Sequence, residues 1–210
     1  MTQEEWVDLA HKIALKYHGS QLDKSGEPYI NHLKRVSARG KTTQEMIVGM
    51  LHDILEDTPC TILEAAASFG NDCRIAKAIL DLTHGPEEIY IDYVKRIRVL
   101  GGLAHKVKVY DVLDNVSFER ISKLDPETQY RLVGKYYAAL RILTNKDFAN
   151  RAFLKEVFSG AYPSDFSEEF GNPVTLACRR LYSDLLSGRR KVKLYSKPRL
   201  RKKHQRRDNG

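Results

Sequence analysis

Three short stretches of the sequence concentrate residues able to bind a cation or move a proton. The first is Leu51-His52-Asp53-Ile54-Leu55-Glu56-Asp57, placed late in a helix. On a helix His52 and Glu56 share one face, one turn apart, as do Asp53 and Asp57. Adjacent His52 and Asp53 diverge by about 100° around the axis. They share a metal only if it sits between their side chains and other helices complete the coordination. A neutral imidazole beside a carboxylate suits a divalent ion of intermediate hardness, such as manganese, iron or zinc. A surface pair of no special role explains a lone His-Asp equally well. The second stretch, Tyr29-Ile30-Asn31-His32, puts His32 early in a helix, where a satisfied core histidine is the plain alternative. The third, Lys108-Val109-Tyr110-Asp111-Val112-Leu113-Asp114-Asn115, lines Lys108, Asp111 and Asn115 along one helical face. Its plain alternative is an exposed ion pair worth little. Cys60, Cys73 and Cys178 are scattered with no Cys-x-x-Cys spacing, so metal chemistry must come from histidine and carboxylate.

Helices must carry these residues, and helical periodicity dominates while alternating β-branched runs are nearly absent. Thr2 with Glu5, Thr42 with Glu45 and Thr61 with Glu64 have the spacing of capping boxes. The first opens a helix with the apolar stripe Trp6, Leu9, Ala10, Ile13, Ala14 and Tyr17. Pro28 suits the first turn of a second helix reaching about Arg39. A third runs through Met46, Val48, Met50, Leu51 and Ile54 before Pro59, and a short fourth stops at Gly70. Further helices are expected over 72–82, 87–100, 103–118 and 126–143. Roughly eight helices before residue 145 make an α-helical bundle. Beyond it, 148–158 and 174–186 look helical and 159–173 looks like loop. The expected organisation is a core over 1–145, a helical extension over 146–188 and a basic, flexible tail over 189–210.

With 210 residues the chain can bury one substantial core. No apolar run approaches the roughly 20 residues that span a bilayer. The acidic start, Met1 to Trp6, lacks the apolar stretch of a secretory signal. A cytoplasmic protein without membrane contact is expected. The net charge of +8 is unevenly placed: 11 Lys and Arg with one acid follow residue 188, leaving the body about −2. The high isoelectric point therefore says nothing about nucleic-acid binding by the folded body.

The order His32, then His52-Asp53-x-x-Glu56-Asp57, then Lys108-x-x-Asp111-x-x-x-Asn115 resembles the hydrolase domain of RelA/SpoT-type alarmone enzymes. Within that group it is most similar to the stand-alone small alarmone hydrolases. The resemblance runs from about Ala10 through Pro28-Tyr29-Ile30-Asn31-His32, Phe69-Gly70 and Leu82-Thr83 to about Tyr136. It implies an all-α, HD-superfamily helical bundle with the basic C-terminal tail appended. His32, His52, Asp53 and Asp111 match the family's metal ligands, usually for Mn2+. Glu56 and Asp57 match the acidic pair that positions and deprotonates the attacking water. Two acids at a helix C-terminus oppose the macrodipole, which suggests another reason for keeping them there. Asn115 matches a residue contacting ribose or phosphate, and Lys24 and Lys108 are assigned to substrate. Tyr136 stands, across a one-residue gap, where the family has a nucleotide-contacting tyrosine. The implied activity is metal-dependent (p)ppGpp 3′-pyrophosphohydrolysis, yielding pyrophosphate and GDP or GTP. Because the chain ends soon after the hydrolase-like region, hydrolysis without synthetase activity is the expectation.

One loop departs from the family. Where the family has an Arg-Lys pair, its arginine stacking on guanine and its lysine facing phosphate, this sequence reads Asp23-Lys24. Aspartate cannot stack on a purine and repels phosphate. The base is therefore open: guanine, the adenine alarmone (p)ppApp, or another 2′- or 3′-phosphorylated nucleotide such as NADPH. Outside catalysis, the alternative is a helical module that binds nucleic acid through its tail, which has no use for four ligands and two acids. The tail itself fits a solvated terminus or weak, non-specific phosphate attraction. With Tyr195 its single aromatic stacking partner, sequence reading by the tail is not expected. Oligomeric state does not follow from the sequence.

Overall fold

A computed structural model describes residues 1–70 and 72–144. The helices expected over 148–158 and 174–186, the boundaries at 145 and 188, and the basic tail lie outside the described residues. Within them the chain is all-α, with no strand and one isolated bridge between Leu22 and Pro28. The helices are α1 (Gln3–His18), α2 (Ile30–Ala38), α3 (Thr43–Leu51), α4 (Ile54–Asp57), α5 (Ile62–Ala67), α6 (Cys73–Leu82), α7 (Tyr90–Leu100), α8 (Gly102–Asn115), α9 (Phe118–Ile121) and α10 (Pro126–Thr144). None is long and apolar enough to cross a membrane.

The capping boxes at Thr2 and Thr61 are complete. At Thr42 the hydroxyl accepts from the Glu45 N–H, but the Glu45 carboxylate leaves the box. It accepts from the Lys41 N–H at 2.8 Å, Lys106 at 2.8 Å and Tyr110 at 3.1 Å. A half-used cap thus becomes a tie between α3 and α8. The second helix starts at Ile30, not at Pro28. Backbone bonds from Asp23 N–H to Glu27 and from Tyr29 N–H to Gln21 fold residues 21–29 into a closed loop first.

The largest difference from expectation is in the third helix. A single helix was expected through Ile54, but it ends at Leu51. Asp53 adopts φ −101°, ψ 4°, and its carbonyl accepts from the Glu56 and Asp57 N–H groups, each at 3.1 Å. The one-turn α4 begins there. Side-chain partners on α2 and α8 override helix continuation at this dipeptide, so the 100° divergence of a continuous helix no longer applies. Likewise, the helix expected over 103–118 ends at Asn115 and resumes as the short α9.

The helices that carry the break and His32 lie unusually close. A Cβ on Gly49 would sit 2.9 Å from Ser37 Cα, so glycine is what lets α3 approach α2. Ser37 Oγ then donates to the Met46 carbonyl at 2.7 Å. One apolar core, including Leu33, Leu51, Ile79, Ile97, Val107 and Leu140, joins these helices to α6, α7, α8 and α10. A smaller cluster of Ile121, Leu132 and Val133, with Leu124 and Tyr136 against it, seats α9 on α10.

Candidate metal centre and cleft

The first turn of α2, the α3–α4 break and the last turn of α8 bring His32, His52, Asp53 and Asp111 together. His52 Nε2 lies 2.9 Å from Asp53 Oδ2 and 3.6 Å from Asp111 Oδ1. His32 Nε2 lies 3.4 Å from Asp111 Oδ1 and 4.0 Å from Asp53 Oδ2. His32, His52 and Asp53 offer ligand atoms all within 4.8 Å of one another, near enough to converge on one cation, and Asp111 flanks both imidazoles. His52 Nε2 is buried with no hydrogen-bond partner despite its close carboxylate neighbours. A lone pair held there in a ring of anionic oxygens is what a cation would use, and one imidazole pair with two carboxylates suits a divalent ion.

Outer contacts fix each group. His52 Nδ1 faces the Gly49 carbonyl at 2.9 Å, and His32 Nδ1 faces Asp114 Oδ2 at 2.7 Å. Donation from both Nδ1 positions leaves both Nε2 atoms bare toward the centre. Arg120 Nη1 reaches Asp114 at 3.1 Å and also approaches His32 Nδ1 at 2.5 Å. Arginine only donates, so the two contacts compete, and the buried, acceptor-only Asp114 keeps the Nδ1 proton. Arg35 adds bonds of 2.7 and 3.1 Å to Asp114. Tyr29 donates its hydroxyl to Asp53. Asp111 accepts from Asn115 at 2.5 Å and pairs with Lys108 at 2.7 Å.

The centre opens into a cleft of about 490 Å³, lined among others by Lys24, Glu56, Asp57, Lys108, Asn115, Arg120, Lys135 and Tyr136. Every residue singled out in the sequence for substrate or proton transfer therefore faces this one cavity. Glu56 and Asp57 end α4 beside it. Lost solvation, then the charge of Asp53, push the Glu56 carboxyl up to about 7, against the pull of Lys108 and the His84 N–H. Asp57 is raised by the same two leading causes. Both acids still meet solvent, which screens part of each shift.

Asp23 does not face the cleft as a free anion. Its Oδ1 accepts from Ser25 N–H at 2.8 Å, Ser25 Oγ at 2.6 Å and Glu27 N–H at 3.1 Å. Its Oδ2 lies 3.5 Å from Arg120 Nε, and the side chain is 4% exposed. The aspartate is a loop-closing cap whose carboxylate is engaged by Ser25, the Glu27 N–H and Arg120. Sequence reasoning missed Tyr29, Asp114, Arg120 and Lys135. Asp114 had a signal, since it lies three positions after Asp111 on α8. Arg120 had none, because its partners are 6, 88 and 97 positions away.

No protein-family model matches the chain. It is 37% identical over 83 residues to the guanosine-3′,5′-bis(diphosphate) 3′-pyrophosphohydrolase of Aquifex aeolicus (strain VF5), covering 38% of this chain and 12% of that protein. It is 29% identical over 143 residues to the GTP pyrophosphokinase of Myxococcus xanthus, covering 58% and 19% respectively. Over 84 residues it is 33% identical to the bifunctional (p)ppGpp synthase/hydrolase SpoT of Escherichia coli (strain K12), covering 38% and 11%. The chain thus spans less than a fifth of the curated relatives it matches, and its similarity is to one part of proteins named as a pyrophosphohydrolase, a pyrophosphokinase and a bearer of both activities.

Proposed function

We propose that the chain is a divalent-cation-dependent phosphohydrolase that removes the 3′-pyrophosphate of a guanosine alarmone, (p)ppGpp, without synthetase activity. The observation that carries this reading is the convergence of His32, His52, Asp53 and Asp111 around an orphaned, buried imidazole nitrogen, at the base of a cleft rich in lysine. These residues would hold one divalent cation, Mn2+ by resemblance, which supplies Lewis acidity to a phosphoryl oxygen and to the attacking water. Glu56, with its carboxyl raised toward neutrality, accepts the proton of that water. Asp57, one residue on, orients it. Water oxygen bonds to the phosphorus next to the 3′ oxygen, the P–O3′ bond breaks, and the 3′ oxygen leaves with a proton. Pyrophosphate and GDP or GTP result. Lys24 and Lys108 offset the phosphate charge, Asn115 holds Asp111, and Tyr136 bounds the nucleoside end. The names of the relatives divide between hydrolysis and synthesis, and the acid pair beside the centre is what favours hydrolysis for this part.

A second reading keeps the reaction and changes the nucleotide. Leu22, Ile121, Leu124 and Leu132 line the cleft, while Arg120 is engaged with both Asp23 and Asp114. Such a surface favours a purine without reading its edge, which admits (p)ppApp or NADPH. The test incubates the chain with Mn2+ and ppGpp, ppApp or NADPH in parallel, with Asp53→Ala alongside. GDP and pyrophosphate from ppGpp in the wild type alone is the expected result. Cleavage of another nucleotide with ppGpp intact would move the assignment to the second reading. No cleavage of any of them would overturn both readings and turn attention to the nucleic-acid-binding alternative.

A further inference from the structure

The side of the cleft built from the α6–α7 connection, the start of α7 and α10 holds polar atoms that the reaction above does not use. Tyr90 Oη and His84 Nε2 are buried without a hydrogen-bond partner, and both residues line the cleft. Their ring centroids are 6.4 Å apart. A buried polar group left unpaired costs about 1–3 kcal/mol, so two on one wall of the cleft call for a partner from within it. Lys135 on α10 adds a third donor. Its Nζ lies 3.9 Å from the Tyr90 ring centroid and 5.2 Å from that of Tyr136. Lys108, the other buried lysine of the cleft, is matched by Asp111 at 2.7 Å. Among the described residues no carboxylate stands within ion-pair distance of Lys135. Burial first, then the positive charges of Lys108 and Lys24, hold its amine down at about 8. A cation kept partly buried among cations, beside two orphaned donors, is completed by an anion with several oxygens.

We propose that Lys135, Tyr90 Oη and His84 Nε2 form a phosphoryl-binding subsite on the α7–α10 side of the cleft. The subsite rests on the reading of this cleft as one that takes a pyrophosphorylated nucleotide, and it names the groups that grip a phosphoryl oxygen away from the cation. Ammonium, phenol and imidazole N–H each donate to a different oxygen, which a di- or pyrophosphate offers and a carboxylate does not.

Pyrophosphate is the probe. Calorimetric titration of the full chain, loaded with Mn2+, compares wild type with Lys135→Met, Lys135→Arg and Tyr90→Phe. Loss of one charge-assisted hydrogen bond predicts about 10–100-fold weaker pyrophosphate binding in Lys135→Met and about tenfold weaker in Tyr90→Phe. Lys135→Arg should retain most of the affinity. Mn2+ affinity, titrated separately, should be unchanged in all three, which a general loosening of the fold would not produce. Should Lys135→Met fail to fold, Tyr90→Phe keeps the ring and carries the test. Pyrophosphate affinity within about twofold of wild type in Tyr90→Phe and in a folded Lys135→Met, or Mn2+ affinity falling in parallel, overturns the subsite. Failure of the wild type to cleave ppGpp, with pyrophosphate binding still dependent on Lys135, counts against the proposed reaction alone. Normal turnover with unchanged KM in Lys135→Met counts against the subsite alone.

Discussion

Replacing Asp114 with asparagine tests the outer carboxylate that orients His32. The Asp114 side chain is 1% exposed, and its oxygens face His32 Nδ1 at 2.7 Å, Arg35 at 2.7 and 3.1 Å and Arg120 at 3.1 Å. Asparagine keeps the shape, but one oxygen becomes an NH2 group facing donors, and two guanidiniums lose the anion between them. Breaking a fully buried ion pair costs about 3–5 kcal/mol. The Arg35 side chain is 31% exposed and can turn toward water, so about 2–3 kcal/mol is expected here. For a chain of this size the melting temperature should fall by about 4–12 °C. Mn2+ affinity should fall by about 10–100-fold, the usual worth of a carboxylate behind a ligating histidine. The effect has a pH signature. Burial opposes ionisation of Asp114, but His32 and Arg35 outweigh it and hold the carboxyl well below its ordinary value of 3.8. Its stabilisation is therefore complete above that value and fades as pH falls toward the lowered one. The gap between wild type and Asp114→Asn should be full at pH 6 and narrow below pH 3.8. Thermal unfolding of the metal-free chain and calorimetric titration with Mn2+ measure the two effects. A variant that melts with the wild type and binds Mn2+ equally well would refute the role given to this carboxylate.

Two further perturbations probe the proton and the fold. Glu56→Gln should lower kcat by about 10²–10⁴-fold with little change in KM. A base must be ionised, so wild-type kcat should rise with pH along an acidic limb at about 7, displaced lower by a nearby bound cation, and the variant should lack that limb. Because the raised carboxyl disfavours the fold once ionised, Glu56→Gln should also melt higher than wild type at pH 8 but not at pH 4; the reverse order would contradict the shift. Gly49→Ala places a methyl 2.9 Å from Ser37 Cα. It should cost about 1–3 kcal/mol through overpacking and weaken Mn2+ binding as α2 and α3 separate. An unchanged melting curve would show that the close approach is not needed.

Much of the centre was legible because it depends on local order. Helical stripes, capping thresholds and the three spaced motifs are short-range patterns, and the fold brings Asp53, Asp111, Glu56 and Asp57 to one cavity with His32 and His52 behind it. The break at His52-Asp53 was not legible. Leu51 and Ile54 keep the core spacing of an unbroken helix, and it is Tyr29, donating to Asp53, with His32 at 4.0 Å, that engages Asp53 from other elements. The half-used box at Glu45 has the same origin, since a partner 61 positions away takes the carboxylate. What Asp23 contacts was not legible either: its type was plain, but the turn it closes and its approach to Arg120, 97 positions away, depend on the fold.

His32, His52 and Asp53 fall within residues 32–53, whereas Asp111 arrives from 58 positions further along. A cation held as proposed would therefore be gripped in two grades. Partial opening that peels α8 and α10 from α2 and α3 removes Asp111, Asp114, Lys108 and Lys135 in one event. It leaves two imidazoles and a carboxylate on the N-terminal helices, with the cleft gone. Tight chelation then reports tertiary cooperativity, and weak chelation only local order. In rising denaturant, Mn2+ affinity should drop to an intermediate plateau before the helices melt, so the ion serves as a gauge of whether the late helices are docked.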